Sequence, residues 1–422
     1  MKKHLIILGT LLIFSCQNEK GIKSVDAIVK EIDTAYISSK LSYFTIDNNK
    51  IEGQGKKVLH KMIDESQFIV FGESHYSKQT SILTEALIPL LSKANFNDFL
   101  AEVGPSTSEK LIELSTPHTK TVQNLKAFIT KYKYKELGET ADPIPFFAGI
   151  EDASFLKAIR EHKMKLWGID QEYFYSILFF TDELLKEAKN KSNYSEIEKL
   201  KIKVDKIIFK HLKDDEDEKI DSALLLIDRD KNVTEFFNQF DEKDIKATKI
   251  INDLKFSWDI YIRWRKGSHA DRISYMRNNL LKIYNNDKKA KMFVKIGSLH
   301  ALKIISNSAY DIGNLTEELA KENNTISSSI NSWRPFYKEN GKVINNLKNY
   351  SNYYRRYSVF TGFAKENKWA IINLKSIRED LRLKKIKLPS DGAYHALKKI
   401  INGYDYQLIL PVDESVTYNL KQ

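Results

Sequence analysis

The sequence predicts an α/β protein: a central, mainly parallel sheet flanked by helices, with an α-helical insertion. Three observations carry that expectation. Two apolar, strand-like runs each end at a Gly-x-x-His, in Gln67-Phe-Ile-Val-Phe-Gly72-Glu73-Ser74-His75 and in Lys291-Met-Phe-Val-Lys-Ile-Gly297-Ser298-Leu299-His300. Runs of this kind, apolar throughout and stopping at glycine, are how buried parallel strands release the chain into a loop. Segments with apolar residues at helical spacing alternate with them, and the stretch 173–266 is helical and densely charged, including the acidic run 214–218.

The chain opens Met1-Lys2-Lys3-His4, is apolar over residues 5–14, and then reads Ser15-Cys16-Gln17. A basic start followed by so short an apolar run reads as an export signal, since a membrane span needs about 20 apolar residues. Cys16 is the only cysteine, and its setting after Ile13-Phe14-Ser15 resembles a bacterial lipobox. The expected organisation is a lipoprotein signal peptide over 1–15, a lipidated Cys16 and a polar tether over 16–40. Gln17 in place of the aspartate that commonly retains lipoproteins at the inner membrane favours the outer membrane of a Gram-negative bacterium. A single cysteine also excludes disulfides within the chain and a cysteine-ligated zinc site.

Residues 41–415 read as one α/β body. A helix over 56–66 leads to the strand at 67–71. Ile82, Leu83, Ala86, Leu87, Leu90 and Leu91 mark a helix over 80–91, and Phe99-Leu100-Ala101-Glu102 follows as a strand ending in a carboxylate. Strand, histidine loop, helix and strand make a right-handed βαβ unit. A third strand, Lys163-Met-Lys-Leu-Trp167, runs into Gly168-Ile169-Asp170-Gln171-Glu172. The stretch 173–266 is then read as a helical cover that shapes access. Arg272, Met276 and Leu280 mark a helix ahead of the second histidine strand, and later strands are expected at 368–374 and 406–412. Proline and glycine are sparse, 8 and 16 in 422 residues, so no flexible linker separates domains. The net charge of +11 comes from lysines scattered among asparagine and isoleucine. Without an arginine-rich patch, nucleic acid is not expected as a partner.

In open α/β sheets ligands bind at the carboxyl edge of the strands. The candidates that the pattern delivers there are Glu73, His75, Glu102 and His300, with Asp170 and Glu172 as secondary candidates and Arg272 on the adjoining helix. Histidine with carboxylate suits two kinds of water chemistry. A histidine held by a glutamate acts as a general base, and His75, Glu102 and His300 are equally suited to a divalent metal, Mn, Zn or Fe, that acidifies bound water. Asp170 and Glu172 also fit the first turn of a solvated helix, and Arg272 fits a surface ion pair. Composition alone gives about 0.3 Gly-x-x-His matches; the third, Gly392-Ala-Tyr-His395, follows Pro389 rather than a strand and reads as a helix start. His269 reads as a neighbour of a helix cap. No Gly-x-Ser-x-Gly elbow and no phosphate-binding glycine loop is present.

In order, Gly72-Glu73-Ser74-His75, Glu102, Arg272 and Gly297-Ser298-Leu299-His300 resemble the superfamily that unites erythromycin esterases, the Tiki and TraB proteins and ChaN-like haem-uptake lipoproteins. The likeness spans about residues 60–310. It implies a hydrolase of ester or peptide bonds acting on a small molecule or peptide, with His75, Glu73, Glu102, His300 and Arg272 as catalytic residues. The same resemblance implies an alternative: a lipoprotein for uptake of haem or iron, with Tyr76 beside His75 as an axial ligand. The spacing Glu73-Ser74-His75 is one residue shorter than the Gly-Glu-x-x-His of macrolide esterases and nearer the Tiki and haem-uptake branches.

Overall fold

The two strands that end in Gly-x-x-His lie side by side at the centre of the sheet. A computed structural model describes residues 29–139, 141–219, 222–305 and 309–419; the signal and Cys16 lie outside them. In chain order the sheet strands are β1 (Leu41–Asp47), β2 (Lys50–Glu52), β3 (Phe68–Glu73), β4 (Phe96–Ala101), β5 (Lys165–Gly168), β6 (Lys291–Gly297), β7 (Ser327–Trp333), β8 (Trp369–Asn373) and β9 (Tyr406–Ile409). They are arranged β2-β1-β8-β9-β7-β3-β6-β4-β5. From β9 across to β5 all neighbours run parallel. Strands β8, β1 and β2 extend the sheet by antiparallel pairings. The α/β class with a mainly parallel sheet is therefore as the sequence predicts.

Strands β3 and β6 pair in a register that sets Glu73 against Gly297, so both loops leave the sheet at one level of one edge. Every residue of β3 is buried. Alternate side chains enter opposite cores: Ile69 and Phe71 join one apolar cluster, Phe68 and Val70 the other. Each such side chain contributes about 1.5–3 kcal/mol by leaving water, so a shift of one residue would exchange the two faces and is strongly opposed.

Two parts of the sheet escape sequence reading. Strand β7 is Ser-Ser-Ser-Ile-Asn-Ser-Trp, polar by composition yet buried at every position. Its polar groups are satisfied internally: Ser66 donates to Ser328 at 2.8 Å, Ser332 to the Gly72 carbonyl at 2.8 Å, and Asn331 to Gln407 Oε1 at 2.7 Å. Such pairing removes most of the cost of burying them. Strands β1 and β2 form a hairpin through Asn48 and Asn49, both at positive φ, 46° and 60°, as a two-residue type I′ turn requires.

The tether expected over 16–40 is corrected at its described end. Residues Lys30–Glu31 pair with Ile386–Lys387, the helix Thr34–Ser38 follows, and Ile32 and Ile37 are buried in the body. Apolar side chains spaced at 32 and 37 have a core to enter, and that holds the segment down.

The stretch after β5 is built of helices Ile177–Glu187, Tyr194–Glu216, Ala223–Arg229, Lys231–Phe237 and Ile245–Ile262. Ile197, Val204 and Trp258 from these helices share one apolar cluster with Phe71, Phe99 and Phe293 of the sheet. The charged residues noted in the sequence occupy their outer faces, as in the pair Lys210–Asp214 at 2.5 Å. Among the described residues no helix is long and apolar enough to cross a membrane.

Candidate active site

Glu102 is the pivot of the site. It follows β4 directly, is 5% exposed, and both its oxygens are engaged. Oε2 accepts the Gly297 backbone N–H at 2.6 Å, and Oε1 accepts Arg272 Nη2 at 2.9 Å. The two imidazoles meet at this carboxylate: His75 Nε2 lies 3.9 Å from Oε2 and His300 Nε2 3.7 Å from Oε1. Residues 225 positions apart thus converge on one group, because parallel neighbours deliver their loops to one sheet edge.

Each imidazole has a carboxylate behind it. His300 Nδ1 is 2.7 Å from Asp311 Oδ2, and this histidine is buried. Burial opposes its protonation, but Asp311 and Glu102 outweigh that and raise its pKa above the usual imidazole value. His75 Nδ1 faces Glu73 Oε1 at 3.4 Å, an ion-pair distance too poorly aligned for a hydrogen bond. Its side chain is 37% exposed and stacks on Phe146, with ring centroids 4.1 Å apart. Burial again works against the charged form, and Glu73 with Glu102 reverses it, so the His75 pKa is raised as well.

Glu73 is buried, which alone would push its carboxyl up, yet Lys295 and His75 bring it down to about 2. Lys295, in the middle of β6, pairs with Glu73 Oε2 and lies 5.2 Å from the Phe155 ring centroid. Arg272, on the helix His269–Asn286, donates Nε to Asp170 Oδ1 at 2.9 Å and Nη2 to Asp170 Oδ2 at 2.5 Å. Burial opposes ionisation of Asp170, and Arg272 overcomes it and lowers its pKa. Arg272 therefore ties the strand ends after β4 and β5 together, and its Nη1 engages neither carboxylate.

Gly297 is required by this geometry. A Cβ there would stand 3.0 Å from His75 Nε2 and 3.4 Å from Glu102 Oε2, filling the gap between imidazole and carboxylate. Beside the cluster is a cavity of about 280 Å³, lined among others by Glu102, Phe146, Tyr173, Tyr261, Trp264 and Arg272. Tyr173, Tyr261 and Trp264 come from the 173–266 stretch, which places its residues next to Glu102 and Arg272. Phe146 and Tyr76 both have left-handed φ, 63° and 58°, a strained conformation for bulky residues that concentrates at functional sites.

Of the residues singled out in the sequence, Glu73, His75, Glu102, Asp170, Arg272 and His300 are brought together, and Glu172 is not. Its Oε1 accepts the backbone N–H groups of Ser106 and Thr107 at 2.8 and 3.2 Å, at the start of the helix Pro105–Leu114. Burial pushes its carboxyl up to about 8, and its part is to cap that helix. His395 is exposed on the helix Tyr394–Gly403. His269 begins its helix, and its ring lies 6.3 Å from that of His300. Sequence reading passed over Lys295, Asp311 and Phe146. Lys295 had a signal, a lysine inside an otherwise apolar strand; Asp311 and Phe146 sit in loops with none.

A larger cavity, about 520 Å³, lies between helices and is lined by Tyr132, Asp182, Lys201 and Phe209 among others. Its charges satisfy one another, Lys131 and Lys201 both pairing with Asp182, and no histidine lines it.

The metal reading of His75, Glu102 and His300 does not fit this donor set. Both Glu102 oxygens already hold donors, one of them a guanidinium whose charge a metal would have to displace. Among the described residues no three histidine, cysteine, aspartate or glutamate side chains are grouped to hold a metal ion. Tyr76, the axial ligand of the haem alternative, packs against Phe146 with 5.7 Å between ring centroids.

No protein-family model matches the chain, and no curated protein sequence matches it significantly. Solved structures do share its fold. A mutant of the erythromycin esterase EreC in its open conformation is 14% identical, with 89% of this chain and 98% of that chain covered at a TM-score of 0.50. A succinoglycan biosynthesis protein is 12% identical, with 91% and 97% covered at a TM-score of 0.51. ChaN of Campylobacter jejuni with cofacial haem reaches a TM-score of only 0.31 at 14% identity over 69% of this chain and 91% of that one, too loose a superposition for pockets to be compared. The fold is thus that of an erythromycin esterase.

Proposed function

We propose that this protein is a hydrolase that cleaves an ester bond, or the related peptide bond, with water activated by His75, exported and held at a membrane through a lipidated Cys16. The observation that carries the reading is the convergence of His75 and His300 on Glu102, beside a cavity and each backed by its own carboxylate.

The 3.9 Å between His75 Nε2 and Glu102 Oε2 exceeds a hydrogen bond and suits a bridging water. Neutral His75 with its proton on Nδ1, toward Glu73, leaves the Nε2 lone pair to take a proton from that water as the oxygen attacks the carbonyl carbon. Glu73 and Glu102 stabilise the imidazolium that forms. The oxyanion receives charge stabilisation from Arg272, whose Nη1 is not engaged by Glu102 or Asp170. Collapse breaks the bond to the leaving group, which takes its proton from an imidazolium, His75 or the Asp311-supported His300. The fold shared with an erythromycin esterase favours an ester over a peptide.

The test is hydrolysis of a panel of 4-nitrophenyl esters by purified protein. His75→Ala should lower kcat/KM by roughly 10²–10⁴, the contribution of a general base, with a cooperative thermal transition retained because His75 is a partly exposed loop residue outside the apolar core. Full activity in that variant, or no hydrolysis by the wild type of any ester or peptide offered, refutes the proposal.

A further inference from the structure

The proposed reaction leaves one feature beside His75 unused. A second cavity, about 300 Å³, is lined by His75, Tyr76, Glu139, Arg334, Tyr337 and Tyr418 among others. His75 stacks on Phe146, whose ring lines the Arg272 cavity, so the imidazole stands where the two cavities approach each other. Arg334 is the first residue beyond β7, and β7 is the parallel neighbour of β3. It therefore reaches the same carboxyl edge as His75, from the strand on the other side.

We propose that this second cavity binds a carboxylate carried by the substrate, with Arg334 as its anchor, so that the natural substrate is an ester bearing a free carboxylate near the scissile bond. The inference rests on the hydrolase reading for its catalytic consequence only. The Arg334 guanidinium lies over the Tyr337 ring, 5.1 Å from its centroid. Its nearest acid, Asp413 Oδ2, is 4.0 Å away, beyond hydrogen-bond reach, and the guanidinium makes no hydrogen bond among the described residues. A planar fork of donors kept in place by a ring, with its acid held off, is suited to a bidentate carboxylate. Glu139 adds one negative charge to the same lining and disfavours a second charge on the anchored group itself, which separates a carboxylate from a doubly charged phosphate.

The cavity is built by backbone rather than formed by chance between surface side chains. The C-terminal segment crosses both loops that carry aromatic walls: Val416 N–H donates to the Tyr76 carbonyl at 3.1 Å, Asn419 N–H to the Ala148 carbonyl at 2.9 Å, and Lys78 N–H to the Glu414 carbonyl at 3.0 Å. Tyr418 on this segment and Tyr76, held at positive φ, thereby keep fixed positions around Arg334 and His75.

The experiment has a binding arm and a kinetic arm on the purified full-length protein. Glutarate is titrated calorimetrically into wild type, Arg334→Gln and Arg334→Lys, with inorganic phosphate as the competing anion. Hydrolysis of 4-nitrophenyl hemiglutarate is compared with that of 4-nitrophenyl valerate, which has no carboxylate. Glutarate should bind the wild type more tightly than phosphate, Arg334→Gln should weaken it by roughly tenfold or more, and Arg334→Lys should recover part. In the kinetic arm kcat/KM for the hemiglutarate should fall similarly in Arg334→Gln while the valerate is unaffected. Equal glutarate binding by wild type and a folded Arg334→Gln, or tighter binding of phosphate than glutarate, overturns the proposal. If neither ester is cleaved, the hydrolase reading fails and the binding arm still decides this one.

Discussion

Lys295→Met tests whether the charge network behind His75 is held together as described. Lys295 and Glu73 are 5% and 4% exposed and pair directly, and methionine keeps the aliphatic stem beside Phe155 while removing the ammonium. A carboxyl held at about 2 rather than its ordinary 4.5 corresponds to ~3 kcal/mol in favour of the ionised form. Deleting one member of a buried pair costs roughly 3–5 kcal/mol, because the other charge stays buried alone. Equilibrium urea unfolding at neutral pH should therefore show Lys295→Met less stable than wild type by about 3 kcal/mol. The double variant Lys295→Met, Glu73→Gln should recover much of that loss, since it leaves no unpaired charge. The pH dependence follows from the depressed carboxyl: its contribution is present above the unfolded value near 4.5 and is lost as pH falls toward about 2. The difference between wild type and Lys295→Met should shrink over that window. A difference under about 1 kcal/mol at neutral pH, a double variant that loses as much as the sum of the singles, or a difference that does not change between pH 4.5 and 2, refutes the reasoning.

Because Glu73 and Glu102 outweigh burial and raise the His75 pKa above its ordinary 6.5, and a base must be neutral to act, kcat/KM should rise with pH through a midpoint above that value. Glu73→Gln should move the midpoint down; an unmoved pH profile removes Glu73 from the argument. Glu172→Ala should cost about 1–2 kcal/mol through loss of a helix cap while kcat is retained, and a large loss of kcat at unchanged stability would return Glu172 to the site. Cys16→Ser should leave the protein unprocessed by the lipoprotein signal peptidase and unanchored; normal membrane retention of that variant excludes the lipid tether.

The class of fold and the cluster of side chains at the candidate site were legible in the linear chain for a physical reason. A central parallel strand is buried on both faces, so β3 and β6 must be apolar throughout and stop at a glycine, and the residues just beyond them must lie at one edge. That logic reaches His75, His300, Glu73 and Glu102 without knowledge of any contact. Strand β7 was hidden because its serines are paid for by partners outside the strand, Ser66, Thr316 and Gly72, and no local pattern reports such pairing. The same holds for Asp311 and Phe146, which are ordinary loop residues until the fold sets one behind His300 and stacks the other on His75. Asp170 and Glu172 make the contrast clearest. They are two positions apart on one strand end, and local chemistry treats them alike. Only packing against the helices decides that Asp170 meets Arg272 while Glu172 turns away to cap the helix Pro105–Leu114. What the sequence by itself determines is the set of groups carried to the sheet edge; which of them share charge, and at what distance, is decided by tertiary contacts such as those of Arg272 with Glu102 and Asp170, which only the packing of helix on sheet creates.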